Sequence, residues 1–172
     1  MTEHDYRQDF PLLQQNQTIY IDNAATAQKP RSVIEAESRF YEESNANPLR
    51  GFYPLSLRAT EIYENARKIV QNFIQADSEK EIIFTRNTTE SLNLVAYSYA
   101  LNHLHPGDEI AVTIMEHHSN LLPWQMAARV TGATLRYLEC EPDGTLTDQT
   151  LEEGINEKTK LLAVGHVSNV LG

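Results

Sequence analysis

The sequence predicts an α/β protein in which a mainly parallel sheet is flanked by helices. From residue 81 onward, short apolar segments alternate with segments of helical period, and tight turns separate them. This alternation is typical of a parallel sheet covered by helices. The chain has 172 residues, which is enough for one domain with a buried hydrophobic core.

The first part of the chain is predicted to be mostly helical. Pro30 stands where an apolar face of helical period begins, and the segment between the two long helices is rich in Asn, Pro and Gly. The expected elements are, in chain order, a short helix over 6–15 that stops near Pro11, a brief strand over 19–21, a helix from Pro30, a loop over 45–52 and a helix over 59–73.

The second part is predicted to alternate strand and helix. In its first helix we expect Leu92, Val95, Ala96 and Tyr99 to face inward. The expected elements are, in chain order, a strand over 81–85, a helix over 88–101, a strand over 110–114, a helix over 121–131 ended by Gly132, a strand over 133–138, a helix near 148–156 and a strand over 161–165. Ligands of such sheets bind beyond the carboxyl ends of the strands, so functional residues are expected there.

Charge and composition narrow the class of protein. The net charge is −10, from 14 basic and 24 acidic side chains, which disfavours binding to nucleic acid or to an anionic membrane. Cys140 is the only cysteine, so no internal disulfide can form, as is usual in a reducing compartment. The start of the chain lacks the basic and apolar regions of a secretory signal, and no apolar run is long enough to span a membrane. We therefore expect a cytoplasmic protein.

The first polar cluster at a predicted strand end comprises residues 86–90. It lies where a helix begins. The free backbone N–H groups there, the helix dipole and the hydroxyls of Thr88 and Thr89 can together bind a phosphate. The same residues also fit a plain helix cap, with Asn87 capping the helix and Glu90 reaching back. The two interpretations can coexist.

The second cluster comprises residues 116–120, and the third comprises residues 166–169. The adjacent histidines could in principle bind a metal ion, but neighbouring residues on a short turn point in different directions. The sequence contains no other motif with the spacing of metal ligands, so no metal site is expected. The imidazole of His117 can instead stack on a planar ligand, or be an ordinary loop histidine. Asn169 can donate a hydrogen bond into the same crevice, or be a turn residue. Arg50, in the loop before the long helix, can pair with a carboxylate or be an exposed loop arginine.

Together these clusters resemble a known family. The chain is similar to the group II, SUF-system cysteine desulfurases of the class V aminotransferase family, and the resemblance covers essentially its whole length. The strings that carry it are residues 21–30 (Ile-Asp-Asn-Ala-Ala-Thr-Ala-Gln-Lys-Pro), 88–90 (Thr-Thr-Glu), 115–120 (Met-Glu-His-His-Ser-Asn) with 122–125 (Leu-Pro-Trp-Gln), 143–146 (Asp-Gly-Thr-Leu) and 166–172 (His-Val-Ser-Asn-Val-Leu-Gly).

The resemblance implies the fold of type I pyridoxal-phosphate enzymes and the cofactor pyridoxal 5'-phosphate. It implies that Thr88 and Thr89 hold the cofactor phosphate, and that His117 stacks on the pyridine ring and assists proton transfer. It also implies that Asn169 hydrogen-bonds near the phenolic oxygen of the ring. Ala25 and Arg50 are implied on the substrate side. The family converts L-cysteine to L-alanine and passes a persulfide sulfur to an acceptor protein for iron–sulfur cluster assembly, and its members are homodimers.

The chain also departs from the family. Asn87 replaces a frequent glycine before the paired threonines, and Leu49 replaces a histidine that many relatives carry before the Arg-Gly pair. The Schiff-base lysine, the persulfide cysteine and the aspartate that pairs with the ring nitrogen lie beyond position 172 in full-length relatives, and Cys140 does not match the cysteine position. Since this chemistry needs both the lysine and a cysteine nucleophile, the isolated chain is expected to be inactive.

The resemblance also implies how the chain is organised. Residues 1–52 are expected to form an N-terminal helical segment with a substrate-side loop, and residues 53–172 the first half of an incomplete cofactor-binding large domain. Two other hypotheses remain open. One is a fragment of a different class V lyase or transaminase, and the other is a non-catalytic truncated binding partner.

Overall fold

The computed structural model describes residues 5–172 and divides the chain into two compact units. The first unit ends at Ile83 and the second runs from Phe84 to Gly172. Residues 1–4, on which the expectation about a secretory signal partly rests, lie outside the described residues. Within the described part of the chain, no helix combines the length and apolar character that crossing a membrane requires.

The first unit is helical, as the sequence predicts. A 3₁₀ turn covers Tyr6–Asp9 and is followed by three helices: α1 (Pro11–Gln15), α2 (Arg31–Glu43) and α3 (Pro54–Ile74). Helix α1 begins at Pro11, where the predicted helix was expected to stop. Proline has a fixed φ and lacks the N–H that a first helical residue leaves unpaired, so it favours a helix start at that position.

The loop between α2 and α3 is held by side chains of α3. The hydroxyl of Ser56, which is fully buried, donates to the carbonyl of Asn47 at 2.7 Å, and the N–H of Leu49 donates to Thr60 Oγ1 at 2.8 Å. Leu49 adopts a φ of 71°, in the left-handed region that few residues other than glycine occupy. The predicted loop is confirmed, and its bend at Leu49 is fixed by hydrogen bonds to α3.

Two predicted strands are wrong. Residues 19–21 and 82–85 have no regular structure, and residues 79–81 form a 3₁₀ turn. The side chains of Ile19 and Ile21 are more than four fifths exposed, whereas Ile82 is buried and its carbonyl accepts a hydrogen bond from the guanidinium of Arg67. An apolar segment becomes a strand only if another strand pairs with its backbone, and no such strand pairs with either segment in the described residues; at Ile82 a turn and the side chain of Arg67 take the backbone hydrogen bonds instead.

The second unit contains a parallel sheet of three strands in the order β2-β1-β3, so the predicted fold class is confirmed. The strands are β1 (Glu109–Thr113), β2 (Thr134–Leu138) and β3 (Thr159–Ala163). Pairing with β2 is regular, whereas the register with β3 shifts between Glu109 and Ile110. Since the strands are parallel, their carboxyl ends lie at one edge of the sheet.

A long helical segment precedes β1 and changes its winding partway. It consists of α4 (Thr88–Val95), a π-helical stretch (Ala96–Ala100) and α5 (Leu101–His103). Ala96 and Ala100 are fully buried, but Val95 and Tyr99 are more than two fifths exposed. The prediction that Val95 and Tyr99 face inward is therefore wrong. For Tyr99, the wider π turns from Ala96 onward change which residues share a face, whereas Val95 is the last residue of α4 and precedes them.

Helices α6 (Leu122–Thr131) and α7 (Asp148–Gly154) complete the unit. Gly132 ends α6 with a φ of 78°, as the sequence predicts. Trp124 is 2% exposed and belongs to a buried cluster that also includes residues of the α4–α5 segment and of β1. This cluster is the hydrophobic core of the unit.

Candidate active site

The N-terminus of α4 presents free hydrogen-bond donors. Asn87 caps the helix, and its Oδ1 accepts the N–H of Glu90 at 2.9 Å. Within residues 5–172, no acceptor pairs with the N–H groups or the hydroxyls of Thr88 and Thr89, and both residues are exposed. These donors, together with the positive end of the helix dipole, can hold a phosphate. The cap and the phosphate site thus coexist in one turn.

Glu90 does reach back, but to Arg86 rather than to Asn87. Its Oε2 accepts the backbone N–H of Arg86 at 2.7 Å and also lies 3.2 Å from the guanidinium Nε. The backbone hydrogen bond, and after it the side-chain hydrogen bond from Arg86, lower the pKa of Glu90 below its ordinary value. The Arg86 guanidinium is thereby engaged by a carboxylate on the same helix turn.

His117 stands at the turn that follows β1. Its Nδ1 accepts the backbone N–H of Ser119 at 3.1 Å and lies 2.8 Å from the Ser119 hydroxyl. The neighbouring ring of His118 meets it edge-on, with ring centres 6.2 Å apart. Both imidazoles are exposed. The hydrogen bonds from Ser119 fix the ring of His117 through one nitrogen and leave Nε2 without a protein partner in the described part of the chain.

Two cavities adjoin His117 and Ser119. One, of about 500 Å³, is the strand-side cavity, which also includes Thr88 and the end of β3. The other, of about 400 Å³, is the helix-side cavity, which also includes Thr89. The remaining lining residues of the strand-side cavity are Leu92, Val95, Asn120, Trp124 and residues 161–165. The structure therefore brings Thr88, Thr89 and His117 together at the carboxyl ends of the strands.

Asn169 is not brought into that group. It is exposed in the turn after β3, and it lines neither the strand-side nor the helix-side cavity. Ser168 holds this turn, because its hydroxyl accepts the N–H groups of Val170 at 3.2 Å and Leu171 at 3.1 Å. The expected hydrogen bond from Asn169 to a cofactor remains a prediction.

Ala25 and Arg50, expected on the substrate side, belong to the first unit. Ala25 lies in a turn that the Tyr20 hydroxyl closes, 3.1 Å from the carbonyl of Asp22 and 2.7 Å from that of Thr26. Arg50 is exposed, and its guanidinium has no hydrogen-bond or ion-pair partner among residues 5–172. Their expected roles remain predictions.

Glu116 and Asn120 emerge as structural members of the site; the sequence placed both in the second polar cluster but assigned a role only to His117. The carboxylate of Glu116 and the amide of Asn120 are hydrogen-bonded to each other at 2.6 Å. A carboxylate in the turn that follows a buried strand was the available signal in the sequence. In the described part of the chain, no three metal-binding side chains lie together, and Cys140 is a partly buried free thiol.

Comparisons with known proteins identify the family. A probable cysteine desulfurase of Synechocystis sp. is 51% identical over 170 residues, which are 96% of this chain and 40% of that protein. The apo structure of a cysteine desulfurase from Thermococcus onnurineus NA1 matches with a TM-score of 0.89 and 46% identity, over 98% of this chain and 41% of that one.

The cysteine desulfurase CsdA from Escherichia coli, in its S-sulfonic acid form, matches with a TM-score of 0.80 and 43% identity, over 96% of this chain and 41% of that one. The chain thus spans about two fifths of the length of these relatives. Residues 19–172 match the family described as aminotransferase class-V. The chain therefore belongs to the class V aminotransferase family.

Proposed function

We propose that the chain supplies the cofactor-binding part of a pyridoxal-phosphate-dependent cysteine desulfurase. The observation that carries the proposal is the meeting of Thr88, Thr89 and His117 around adjoining cavities at the carboxyl ends of the strands. Relatives at about half identity bear the name cysteine desulfurase, which supports this activity over another class V lyase or transaminase, or a non-catalytic binding partner.

The residues present fit pyridoxal 5'-phosphate. The free N–H groups and hydroxyls at the start of α4 suit its phosphate, and the flat imidazole of His117 suits its ring. Bound there, the cofactor would supply an electron sink for bond breaking next to an amino group. The chain's own part is to bind the phosphate through Thr88 and Thr89, to orient the ring with His117, and to hold a proton on Nε2 of that histidine.

The finer assignments belong to the same proposal. We assign the chain to the group II, SUF-type branch, with L-cysteine as substrate, a sulfur-acceptor protein of iron–sulfur assembly as partner, a homodimeric longer form and a cytoplasmic location. Asn169 would contact the cofactor, and Ala25 and Arg50 the substrate. Residues 1–52 would carry the substrate-side loop, and residues 53–172 would contribute to the cofactor-binding domain.

We also propose that this chain by itself does not complete the reaction. Lys158 and Lys160 lie at the start of β3, so they are at the opposite end of the sheet from His117. No lysine lines the strand-side or the helix-side cavity in the described part of the chain, and Cys140 lines neither. Covalent attachment of the cofactor and transfer of sulfur would then need groups from elsewhere.

Cofactor binding by the chain tests the proposal. We expect pyridoxal 5'-phosphate to bind when it is titrated and followed by absorbance and calorimetry, and pyridoxal without the phosphate to bind at least tenfold more weakly. The Thr88→Val/Thr89→Val double variant removes two hydroxyl donors. Because each hydrogen bond to a charged group is worth about 1.5–3 kcal/mol, loss of both should lower its affinity by roughly a hundredfold or more.

Thr134→Val is the matched control. Thr134 is an exposed threonine at the start of β2, at the opposite end of the sheet, and its hydroxyl has no hydrogen-bond partner among the described residues. It should leave binding unchanged. Equal affinity of the unchanged chain for pyridoxal with and without phosphate, or equal affinity of the double variant and the control, would refute the proposed site.

A further inference from the structure

We infer that Glu116 is a positioning residue that fixes the His117 turn against the end of β3. The inference rests on the proposed function, since it matters for catalysis only if His117 faces the cofactor. Glu116 itself lines neither cavity, and it acts through the neighbours to which it is hydrogen-bonded. Its carboxylate lies between three parts of the second unit that meet at the site.

Three donors converge on the Glu116 carboxylate, each from a different part of the unit. Oε1 accepts the hydroxyl of Thr113, in the last residue of β1, at 2.7 Å and the backbone N–H of Gly165, after β3, at 2.9 Å. Oε2 accepts the side-chain amide of Asn120, at the far side of the His117 turn, at 2.6 Å. Glu116 therefore connects both strand ends to the turn between them.

The hydrogen-bond donors and acceptors around Asn120 allow only one orientation of its side-chain amide. The indole N–H of Trp124, 2% exposed in the core, donates to Asn120 Oδ1 at 3.0 Å. The amide oxygen of Asn120 is thus occupied, so its NH₂ group must face Glu116, and that position needs an acceptor. An ionised carboxylate supplies acceptors toward all three donors, which a neutral amide cannot do.

Gly165 makes close approach of β3 possible. A Cβ added at this residue would lie 3.3 Å from Oε2 of Glu116, tighter than most Cβ contacts, and 3.8 Å from Oε1, an ordinary van der Waals distance. A side chain at residue 165 would therefore push the carboxylate by a few tenths of an ångström from the position in which it accepts the Gly165 N–H. Gly165, His117 and Asn120 all line the strand-side cavity, so the network sets the shape of that cavity.

His117 is clamped from both sides by these bonds. Glu116 precedes it in the chain, and Asn120 follows it at the end of the 3₁₀ turn His118–Asn120. A shift of either anchor would move the imidazole relative to Thr88 across the strand-side cavity. Correct placement of a ring-stacking group requires such a rigid support.

The test exchanges the hydrogen-bond donor and acceptor between residues 116 and 120. In Glu116→Gln, the new NH₂ group would face the NH₂ group of Asn120, so the network breaks. In the double variant Glu116→Gln/Asn120→Asp, residue 116 donates to residue 120, which still accepts the indole N–H of Trp124. All the hydrogen bonds are then restored with their direction reversed between residues 116 and 120.

Three measurements distinguish an effect on the hydrogen-bond network from an effect on cofactor binding. The ring ¹H–¹⁵N signals of His117 and the emission of Trp124, the only tryptophan, are measured without cofactor, and pyridoxal 5'-phosphate affinity is measured separately. We expect Glu116→Gln to shift both signals and to lower affinity about tenfold, because His117 is then no longer held in position against the cofactor. The double variant should recover all three. Gly165→Ala should resemble Glu116→Gln.

Glu152→Gln, which alters an exposed carboxylate on α7, is the matched control and should change nothing. If Glu116→Gln does not fold, recovery of folding in the double variant supports the inference, and its failure to recover overturns it. Unchanged His117 signals in Glu116→Gln, or a double variant no better than the single one, also overturn it. If the unchanged chain binds no cofactor, the proposed function fails, while the cofactor-free signals still decide the role of Glu116.

Discussion

The backbone N–H of Ser119 donates to Nδ1 of His117 at 3.1 Å, and this bond determines which nitrogen of the imidazole carries the proton. A backbone N–H is only a donor, so Nδ1 must be an acceptor and the neutral ring is protonated on Nε2. The Ser119 hydroxyl, 2.8 Å from Nδ1, can donate to the same nitrogen. His117 therefore offers a donor, rather than a base, at its unpartnered nitrogen.

Replacement of Ser119 tests this tautomer. Ser119→Ala keeps the backbone donor, so the ¹⁵N shifts of His117 at alkaline pH should still report protonation on Nε2. Ser119→Pro removes both donors, and we expect a mixture of tautomers. A Nδ1-protonated ring in the unchanged chain, or identical ¹⁵N shifts in all three proteins, would contradict the assignment.

Asn87 caps α4, and loss of this cap should destabilise the second unit. Asn87→Ala leaves the N–H of Glu90 without its side-chain acceptor, and cap removal of this kind costs about 0.5–2 kcal/mol of unfolding free energy. Urea unfolding followed by circular dichroism measures the change. Asn87→Asp keeps an acceptor at the same position and should retain most of the stability. An alanine variant as stable as the aspartate variant would show that the cap contributes nothing.

Glu109 joins β1 to two other segments and should make stability depend on pH. Its Oε2 accepts the amide of Asn156 at 2.9 Å and lies 3.3 Å from the guanidinium of Arg136. The hydrogen bond from Asn156, and then the interactions with Arg136 and Lys158, lower the pKa of Glu109 against the effect of desolvation. A carboxyl whose pKa is lowered by folding stabilises the protein above its unfolded pKa, and this contribution is lost as the pH falls through the folded value.

We therefore expect the melting temperature to fall as the pH drops below the ordinary glutamate value of 4.5. Glu109→Gln should lower the melting temperature at pH 7 and flatten its acid dependence, because no proton is then taken up at this position. Thermal scans from pH 7 to pH 3 check both effects. Glu152→Gln, on an exposed carboxylate, is the comparison, and an acid slope equally steep in both variants would contradict the role of Glu109.

The sequence predicted those elements whose signals are local. Gly132 marks the end of α6 because its left-handed backbone conformation is favoured there whatever surrounds it, whereas α3 was predicted over 59–73 and begins earlier, at Pro54. Residues 82–85 look like a strand but lack one, because pairing depends on a partner that no local pattern specifies. The exposure of Tyr99 results from the π turns that begin at Ala96, and no periodic pattern in the sequence predicts such turns.

The candidate site was predictable to a similar extent. Thr88 and His117 follow from their positions at a helix start and a strand end, and the structure brings them to one cavity. The network around Glu116 was not predictable, because its donor at Gly165 lies 49 residues away in the chain. Long-range hydrogen bonds of this kind depend on the strand order, which the alternation of strand and helix does not determine.

Gly132 is required at the end of α6 by its backbone conformation. Its φ of 78° and ψ of 9° are left-handed, and its N–H closes the helix by donating to Ala128 at 2.9 Å. A Cβ in this conformation costs about 1–2 kcal/mol, and here it would also lie 3.1 Å from the side chain of Pro106. Gly132→Ala should therefore lower the free energy of unfolding by at least that amount, as measured by urea denaturation.

Gly132→Asn separates the two causes. Asparagine places the same Cβ against Pro106 but tolerates the left-handed conformation, so it should destabilise less than alanine. The difference between the two variants then measures the part of the conformational cost that asparagine relieves. If alanine and asparagine were equally destabilising, contact with Pro106 would be the dominant cause, and Pro106→Ala should then rescue both variants. We expect instead that Pro106→Ala leaves most of the alanine defect in place, because the strain arises within residue 132 itself.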